Sequence, residues 1–489
     1  MQISLISRPV AAVVLGTLVA AMLAACGGGD DIAAGPAAGS ATGGAGGPGG
    51  SPPATPTLSL SAPARAVANT LYRYSATLST GTISVQNWSW DDGGPDGTTN
   101  PAGHVWNTPG QFKVNFSAVA GGNLLNGKQA TVVVAEPMSV GEKHACAIVP
   151  GGTVACWGYN GWGQLGDGTT VDQSLPIPVP GLSGVVALSL GAYYGCALAS
   201  GGTVACWGYN GQGQIGDGSA AVTRPSPVAV AGLSGAVALS AGGRHACAMK
   251  SDATVVCWGY NGEGQLGDGT TANKNTPVAV SGLSGVISVS SGFISSCALK
   301  SDGSVACWGN NSSGQLGDGT FLDRTTPVAV PGLSGVAAVS VGVDAACALK
   351  LDGTVVCWGG NHVGQLGDGT TVLRTAPVAV AGLAGAMALS LGSGGHACAL
   401  KSDGAVACWG YNGQGQVGDG TKANRLTATP IAGLSGVAAI NAGESSSCAL
   451  KTDGTPLCWG LNNLGQVGDG TLVDRLVPTR LGNNWIFWK

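Results

Sequence analysis

Fourteen of the fifteen cysteines fall into seven pairs: Cys146 with Cys156, Cys196 with Cys206, Cys247 with Cys257, Cys297 with Cys307, Cys347 with Cys357, Cys398 with Cys408, and Cys448 with Cys458. Nine residues separate the partners each time. Such thiols can oxidise to a disulfide, ligate a metal or sit free in a core. Zinc asks for closely spaced ligands, commonly with histidine, and these pairs show neither. The five histidines, His104, His144, His245, His362 and His396, stand in no Ser-His-Asp order and no metal-binding motif. A carboxylate pair such as Glu142 with Glu444 is the arrangement that could support acid–base work, of the kind that cleaves a glycosidic bond.

A hairpin must position the cysteines. Ser301-Asp302-Gly303 suits a type I turn closed by a glycine in the left-handed region. Folding there sets Lys300 opposite Ser304, Leu299 opposite Val305 and Cys297 opposite Cys307. Residues opposed across antiparallel strands lie within disulfide range. Repetition of the same hairpin points to a disulfide within each copy. Free buried cysteine is the alternative, suited to a reducing compartment. On the loop-entropy account each bridge contributes about 2–3 kcal/mol. One hairpin departs: Ala253 stands where the other six copies carry glycine, and a side chain is strained in the left-handed region.

Around each pair the pattern Cys-Ala-Leu-x-x-Asp-Gly-x-Val-x-Cys-Trp-Gly-x-Asn-x-x-Gly-Gln-Leu-Gly-Asp-Gly-Thr recurs, cleanest from Cys297 to Thr320. It is followed by Pro-Val-x-Val and Gly-Leu-Ser-Gly-Val. Its period is 50 or 51 residues over seven copies. Several short strands per repeat at this period describe an all-β, seven-bladed β-propeller. The pattern resembles the regulator of chromosome condensation repeat family over residues 138–489. That resemblance implies a seven-bladed propeller. Eukaryotic members include the exchange factor for the GTPase Ran, which uses an insertion that this period leaves no room for. Exported bacterial members, including a propeller-type inhibitor of β-lactamase, are the nearer comparison and imply action by protein binding.

A four-stranded antiparallel blade sends its loops alternately to opposite faces. The Ser-Asp-Gly hairpins and Gly-Leu-Ser-Gly links share one face and are nearly constant. The other two loops share the opposite face and vary. Positions that repeat sevenfold serve the blade, so Asp167, Asp217, Asp268, Asp318, Asp368, Asp419 and Asp469 are expected as turn formers. Variable positions are free to serve a site. Trp162, Tyr193, Tyr194, Arg244, Phe293, His144 and His245 are the candidate partner-binding residues, since aromatics and arginine are enriched in interface cores. Ordinary loop exposure is the competing reading of any one of them. The tail Trp485-Ile486-Phe487-Trp488 aligns by the period with a strand. It is expected to complete the sheet where the last repeat meets the first, because Pro137 interrupts the segment ahead of Cys146.

Ahead of the repeats the chain changes character three times. Residues 1–25 read as an export signal, with Arg8 before a short apolar run. Leu23-Ala24-Ala25-Cys26 resembles the bacterial lipobox, which implies cleavage before Cys26 and lipid on its sulfur. Gly27 after it favours the outer membrane. Residues 26–56, nearly all Gly, Ala, Ser, Thr and Pro, are a flexible tether. Residues 57–136 alternate apolar and polar side chains, as in 71–76, 112–116 and 130–134, and read as a small β-sandwich. Trp88-Ser89-Trp90-Asp91-Asp92-Gly93, His104-Val105-Trp106 and Gly110-Gln111-Phe112-Lys113-Val114 resemble the PKD-type immunoglobulin-like domain, implying a spacer or adhesion module. Asp91, Asp92 and Asp96 are read as a solvated turn rather than a cation site. Residues 137–489 form the propeller.

Composition agrees with a folded β-protein. There are 86 glycines and 24 prolines in 489 residues, and 9% of residues are charged, against roughly 25% usually. Twenty-one Lys and Arg with a net charge of −4 give no basic footprint for nucleic acid. The expected protein is a lipid-anchored bacterial envelope component, monomeric and not an enzyme. It meets the membrane only through its anchor, needs no cofactor or metal, and binds an unidentified protein partner through the variable face. The alternatives are a glycan-binding or glycan-cleaving surface protein and a purely structural envelope component.

Intact-mass measurement with and without reduction should release fourteen thiols, one pair per hairpin. Peptide maps that join different repeats would overturn the register.

Overall fold

The computed structural model describes residues 58–485, apart from 63–64, 69–70, 80–82, 84, 91–101, 107–109, 121–122 and 136. The signal, Cys26, the tether, Asp91, Asp92, Asp96 and residues 486–488 therefore lie outside the described residues.

Among the described residues every long element is a strand. Between Leu58 and Ala135 two sheets face each other. One consists of Leu58–Ser61, Leu71–Leu78 and Ala102–Val105. The other consists of Arg65–Val67, Val85–Trp90, Gly110–Ala120 and Asn123–Ala135. They share one core, in which Tyr74, Trp88, Trp90, Trp106 and Phe116 are buried. Burying indole and phenol rings leaves polar atoms to satisfy. The Trp106 Nε1–H donates to the Tyr74 hydroxyl at 2.6 Å.

From Met138 onward seven four-stranded antiparallel sheets follow in chain order. The first runs Met138–Val140, His144–Val149, Thr153–Gly158 and Gln173–Val179. The fourth runs Val286–Ser291, Ser295–Lys300, Val305–Gly309 and Arg324–Ala329. The hairpin register is the one the sequence implies: Leu299 opposes Val305 and Cys297 opposes Cys307.

Each hairpin closes its own disulfide. Cys146 is bonded to Cys156, Cys196 to Cys206, Cys247 to Cys257 and Cys297 to Cys307. Further round, Cys347 is bonded to Cys357, Cys398 to Cys408 and Cys448 to Cys458. Their Cα atoms lie 4.0–4.1 Å apart, the close approach of residues directly opposed across two antiparallel strands. All fourteen are buried. The hairpin of one sheet bonds to the link that enters the next, as when Val185 N–H donates to the Gly152 carbonyl at 2.9 Å. Hairpins and links thus share a face.

Three joints recur between neighbouring sheets. The tryptophan of each Cys-Trp-Gly is fully buried. Its Nε1–H donates to a glutamine carbonyl of the preceding sheet at 2.8–3.1 Å, and Trp157 of the first sheet reaches Gln466 of the seventh. Six serines of the innermost strands, from Ser139 to Ser390, accept a backbone N–H of the following sheet at 2.8–3.1 Å. One glycine per sheet then packs its Cα against the next sheet's carbonyl. A Cβ on Gly141 would stand 2.6 Å from the Gly191 oxygen, and one on Gly443 would stand 2.4 Å from the Gly141 oxygen. The last sheet therefore meets the first through the same tryptophan and glycine contacts, with Asn441 standing where the other six sheets carry the serine.

The premise of the expectation for the tail, that Pro137 interrupts the strand ahead of Cys146, is corrected; tail residues 486–488 lie outside the described residues. The innermost strand of the first sheet is Met138–Val140, paired with Ala145–Ala147. Pro137 does not interrupt it, because the Pro137 carbonyl accepts the Ile148 N–H at 2.8 Å and the proline's missing donor is not needed there. After Arg480 the chain makes a short 3-10 turn, Gly482–Asn484, and Trp485 packs on the cluster shared by the first and seventh sheets.

Ala253 takes φ +61°, in line with +73° to +85° at the six equivalent glycines. Ala253→Gly should therefore raise stability by about 0.5–1 kcal/mol. The readout is a higher denaturant midpoint at unchanged slope; an unchanged or lower midpoint would show that the turn carries no strain.

Candidate functional site

The loops between first and second strands, and between third and fourth, open on the face opposite the hairpins. Their equivalence is set by a repeated bond: the backbone carbonyls of Lys143, Tyr193, Arg244, Ile294, Asp344, Gly395 and Ser445 each accept an N–H from the residue after Cys-Trp-Gly in the same sheet. The shared bond uses only backbone at this position, and the side chains differ; where Asp344 stands it also accepts from the Gln365 side-chain amide at 3.3 Å, and Gly395 takes φ +80°. The Gly-Asp-Gly aspartates are different in kind. Asp318, for example, accepts from Asn311 at 3.1 Å, from the Thr320 N–H at 2.9 Å and from Arg324 at 2.7 Å, closing its own loop.

Four of the sequence-derived candidates come together on the first four sheets. Trp162, 38% exposed, meets Tyr209 with ring centroids 5.0 Å apart. Tyr193 lies 6.3 Å from Tyr159, and the Lys143 ammonium stands 5.8 Å from the centre of the Tyr193 ring. The Arg244 guanidinium stands 5.6 Å from the centre of the Phe293 ring. Trp162, Tyr193, Tyr209, Gln212, Gln214 and Arg244 line a cleft of about 220 Å³. Cations set over aromatic faces keep their charge while shielding their stems from water.

The other three candidates are corrected. Tyr194, His144 and His245 are fully buried and offer no surface. Along a strand, residues two apart share a face. Each of these stands two before a buried cysteine, Cys196, Cys146 and Cys247 respectively, so each points into the joint with the next sheet. The Tyr194 hydroxyl donates to the Gly242 carbonyl at 3.1 Å. His245 Nε2 is 2.8 Å from the Ser296 hydroxyl, and His396 Nε2 is 2.8 Å from the Ser447 hydroxyl. Burial lowers the pKa of His144 and His245 to about 3, and that of His396 to about 4.

Tyr209 was not legible as a site residue. Four sheets carry tyrosine there, at 159, 209, 260 and 411, so it reads as a repeat feature. The neighbouring Trp162, unique among the seven copies, is the signal that could have found it.

Glu142 lines the mouth of the central cavity, together with Phe293 and the innermost serines. Burial raises its pKa to about 7, with a further push from Glu444; Lys143 and Arg244 act in the opposite direction. Burial also raises the pKa of Glu444. The first and seventh sheets meet here, since the Glu444 N–H donates to the Gly141 carbonyl at 3.4 Å. A carboxyl group that changes charge near neutral pH can take up or release a proton there.

Residues 76–395 match the RCC1-like domain. Residues 388–416 and 437–466 match the regulator of chromosome condensation (RCC1) repeat, as do residues 403–450. The chain belongs to the RCC1-like domain family, and its repeats build a β-propeller. Yeast RCC1 (Prp20), in its crystal structure with Kap60, has a similar fold: TM-score 0.61 at 22% identity, covering 71% of this chain and 85% of that one. Prp20p from Saccharomyces cerevisiae gives 0.60 at 23%, covering 71% and 88%. Human WBSCR16 gives 0.61 at 22%, covering 67% and 94%.

The buried histidines set a pH dependence. Their folded pKa values lie below the unfolded value of about 6.5, so the unfolded chain binds protons that the folded chain refuses. Stability is present above pH 6.5 and falls as pH drops toward 3–4, by up to about 1.4 kcal/mol per pH unit for each histidine. Glu142 and Glu444, with raised values, act oppositely in the range above their unfolded values. Comparing wild type with a double variant, His245→Ser with His396→Ser, cancels that contribution. Serine occupies the equivalent positions 295 and 446. The variant should lose melting temperature less steeply between pH 6.5 and 4; parallel curves would show that the histidines do not titrate as described.

Proposed function

We propose that this is a lipid-anchored bacterial envelope protein whose propeller binds a protein partner through the variable loop face. In this reading the seven sheets are the seven blades. Residues 57–136 are a PKD-like immunoglobulin-fold spacer, and Cys26 carries the lipid, with the outer membrane as the favoured site. The protein works by binding as a monomer, without cofactor or catalysis.

One observation carries the reading: the sevenfold repeat is its own control. At positions where the scaffold asks only for backbone, three successive sheets present Lys143, Tyr193 and Arg244, beside Trp162 and Tyr209. Ile294 and Ser445 serve the fold equally well at the same place, so the aromatic and cationic side chains are surplus to it. Tryptophan, tyrosine and arginine are also the residues that dominate binding energy at protein interfaces. Similar propellers are known with protein partners: yeast RCC1 is bound to Kap60, and Prp20p is described with binding to Gsp1p and histones. Those partners belong to those proteins; what supports the proposal is the use of such a scaffold for protein binding.

A second reading, glycan binding or cleavage, is favoured by the Glu142 and Glu444 pair at the cavity mouth. The two separate in one experiment. The full chain, purified in detergent, is used to capture material from envelope extract. A protein recovered in stoichiometric amount and lost with Trp162→Ala, at a cost of about 2 kcal/mol, supports partner binding. Released sugar with no protein recovered supports the second reading and sinks the first.

A further inference from the structure

We infer that the cleft between the first three sheets takes an acidic segment of a protein partner. Its carboxylate is received between Lys143 and Arg244, and its neighbouring apolar side chain lies against Trp162 and Tyr209. The inference rests on the partner-binding reading and names the chemistry of that partner.

The argument is one of charge. Cations at the strand entries of the sheets are neutralised by aspartates, as Arg324 is by Asp318 at 2.7 Å. Lys143 and Arg244 are held differently, over the rings of Tyr193 and Phe293. A ring fixes a cation's position without consuming its N–H groups as donors, and Arg244 is exposed while Lys143 is half-buried. The two cations occupy equivalent places on the first and third sheets, and Tyr193 occupies the one between. Both are near enough to Glu142 to act on its charge. The cleft beside them is walled by Trp162, Tyr193 and Tyr209. Two cations beside an aromatic wall match a carboxylate beside an apolar group.

Glu142 is the group with which an incoming carboxylate competes. The charges facing Glu142 are Glu444 from the seventh sheet, Lys143 beside it and Arg244 from the third. Uncharged Glu142 leaves Arg244 to the ligand and Lys143 shared only with Glu444; charged Glu142 repels the ligand and draws on both cations. Affinity for an acidic ligand therefore falls as pH rises through about 7.

The full chain is titrated calorimetrically with acetylated, amidated Gly-Glu-Tyr-Glu-Gly and with its Gln-for-Glu counterpart. The acidic peptide should bind at least about tenfold more tightly at pH 6, the scale of a charge-assisted hydrogen bond, and lose affinity by pH 8. Lys143→Gln or Arg244→Gln should remove the preference, and Glu142→Gln should remove the pH dependence. The positions of Lys143 and Arg244 hold Ile294 or Ser445 in other sheets, and that of Glu142 holds Ala192 or Val343, so the variants keep the fold. Equal affinity for the two peptides, no binding of either, or a pH trend that survives Glu142→Gln overturns the inference. So does tight binding of oligogalacturonate in preference to the acidic peptide. The two levels fail separately. Protein capture from envelope extract that is lost with Trp162→Ala but kept with Arg244→Gln rejects the acidic ligand alone. Capture indifferent to both rejects the face.

Discussion

Seven buried indole N–H groups, each donating to the backbone of the sheet before it, are the constraint on which the molecule depends. A buried indole must find an acceptor or forfeit about 1–3 kcal/mol. The acceptor always lies in the neighbouring sheet, so no sheet satisfies its own tryptophan. The disulfide one residue earlier in the chain, at Cys156 for Trp157 and at Cys307 for Trp308, fixes the strand from which that tryptophan projects. Stability of each sheet is therefore borrowed from the one before it. At the join between the two ends of the repeat array Trp157 finds Gln466 in the same way.

This division of labour separates scaffold from site. The groups that repeat, namely the tryptophan, the inner serine, the inner glycine and the Asn–Asp pair of the third loop, are all engaged with backbone or with each other. What is left over lies at the loop positions held by backbone alone. The aromatic and cationic residues concentrate there on the first four sheets, while Asp344, Gly395 and Ser445 fill the same positions further round.

Much of this was legible in the sequence. The cysteine spacing and the Asp-Gly turn fixed the hairpin register to the residue, and the odd Ala253 marked its own strained backbone. Other features were not legible, for physical reasons. Tyr194, His144 and His245 look like loop residues because of their composition, yet strand alternation from the neighbouring cysteine puts them inside. The inner serine is conspicuous only once its hydroxyl is seen accepting an amide from another sheet, a contact some fifty residues distant in sequence. The first sheet's inner strand was hidden by Pro137, whose carbonyl does the bonding that its nitrogen cannot. The pairing of Trp162 with Tyr209, and of Lys143 with Tyr193, depends on which sheets are neighbours, and no local pattern records that.

The indole-to-carbonyl joint is the same at all seven boundaries, so the sheets are built to one plan. The outward residue at the loop position reads in order Lys, Tyr, Arg, Ile, Asp, Gly, Ser at 143, 193, 244, 294, 344, 395 and 445. Apart from Gly395, whose φ of +80° favours glycine, it can be rewritten one letter at a time without touching a tryptophan or a glutamine carbonyl. Recognition in such a protein evolves by editing a short word on a fixed ring, and a new partner needs new spelling rather than a new fold.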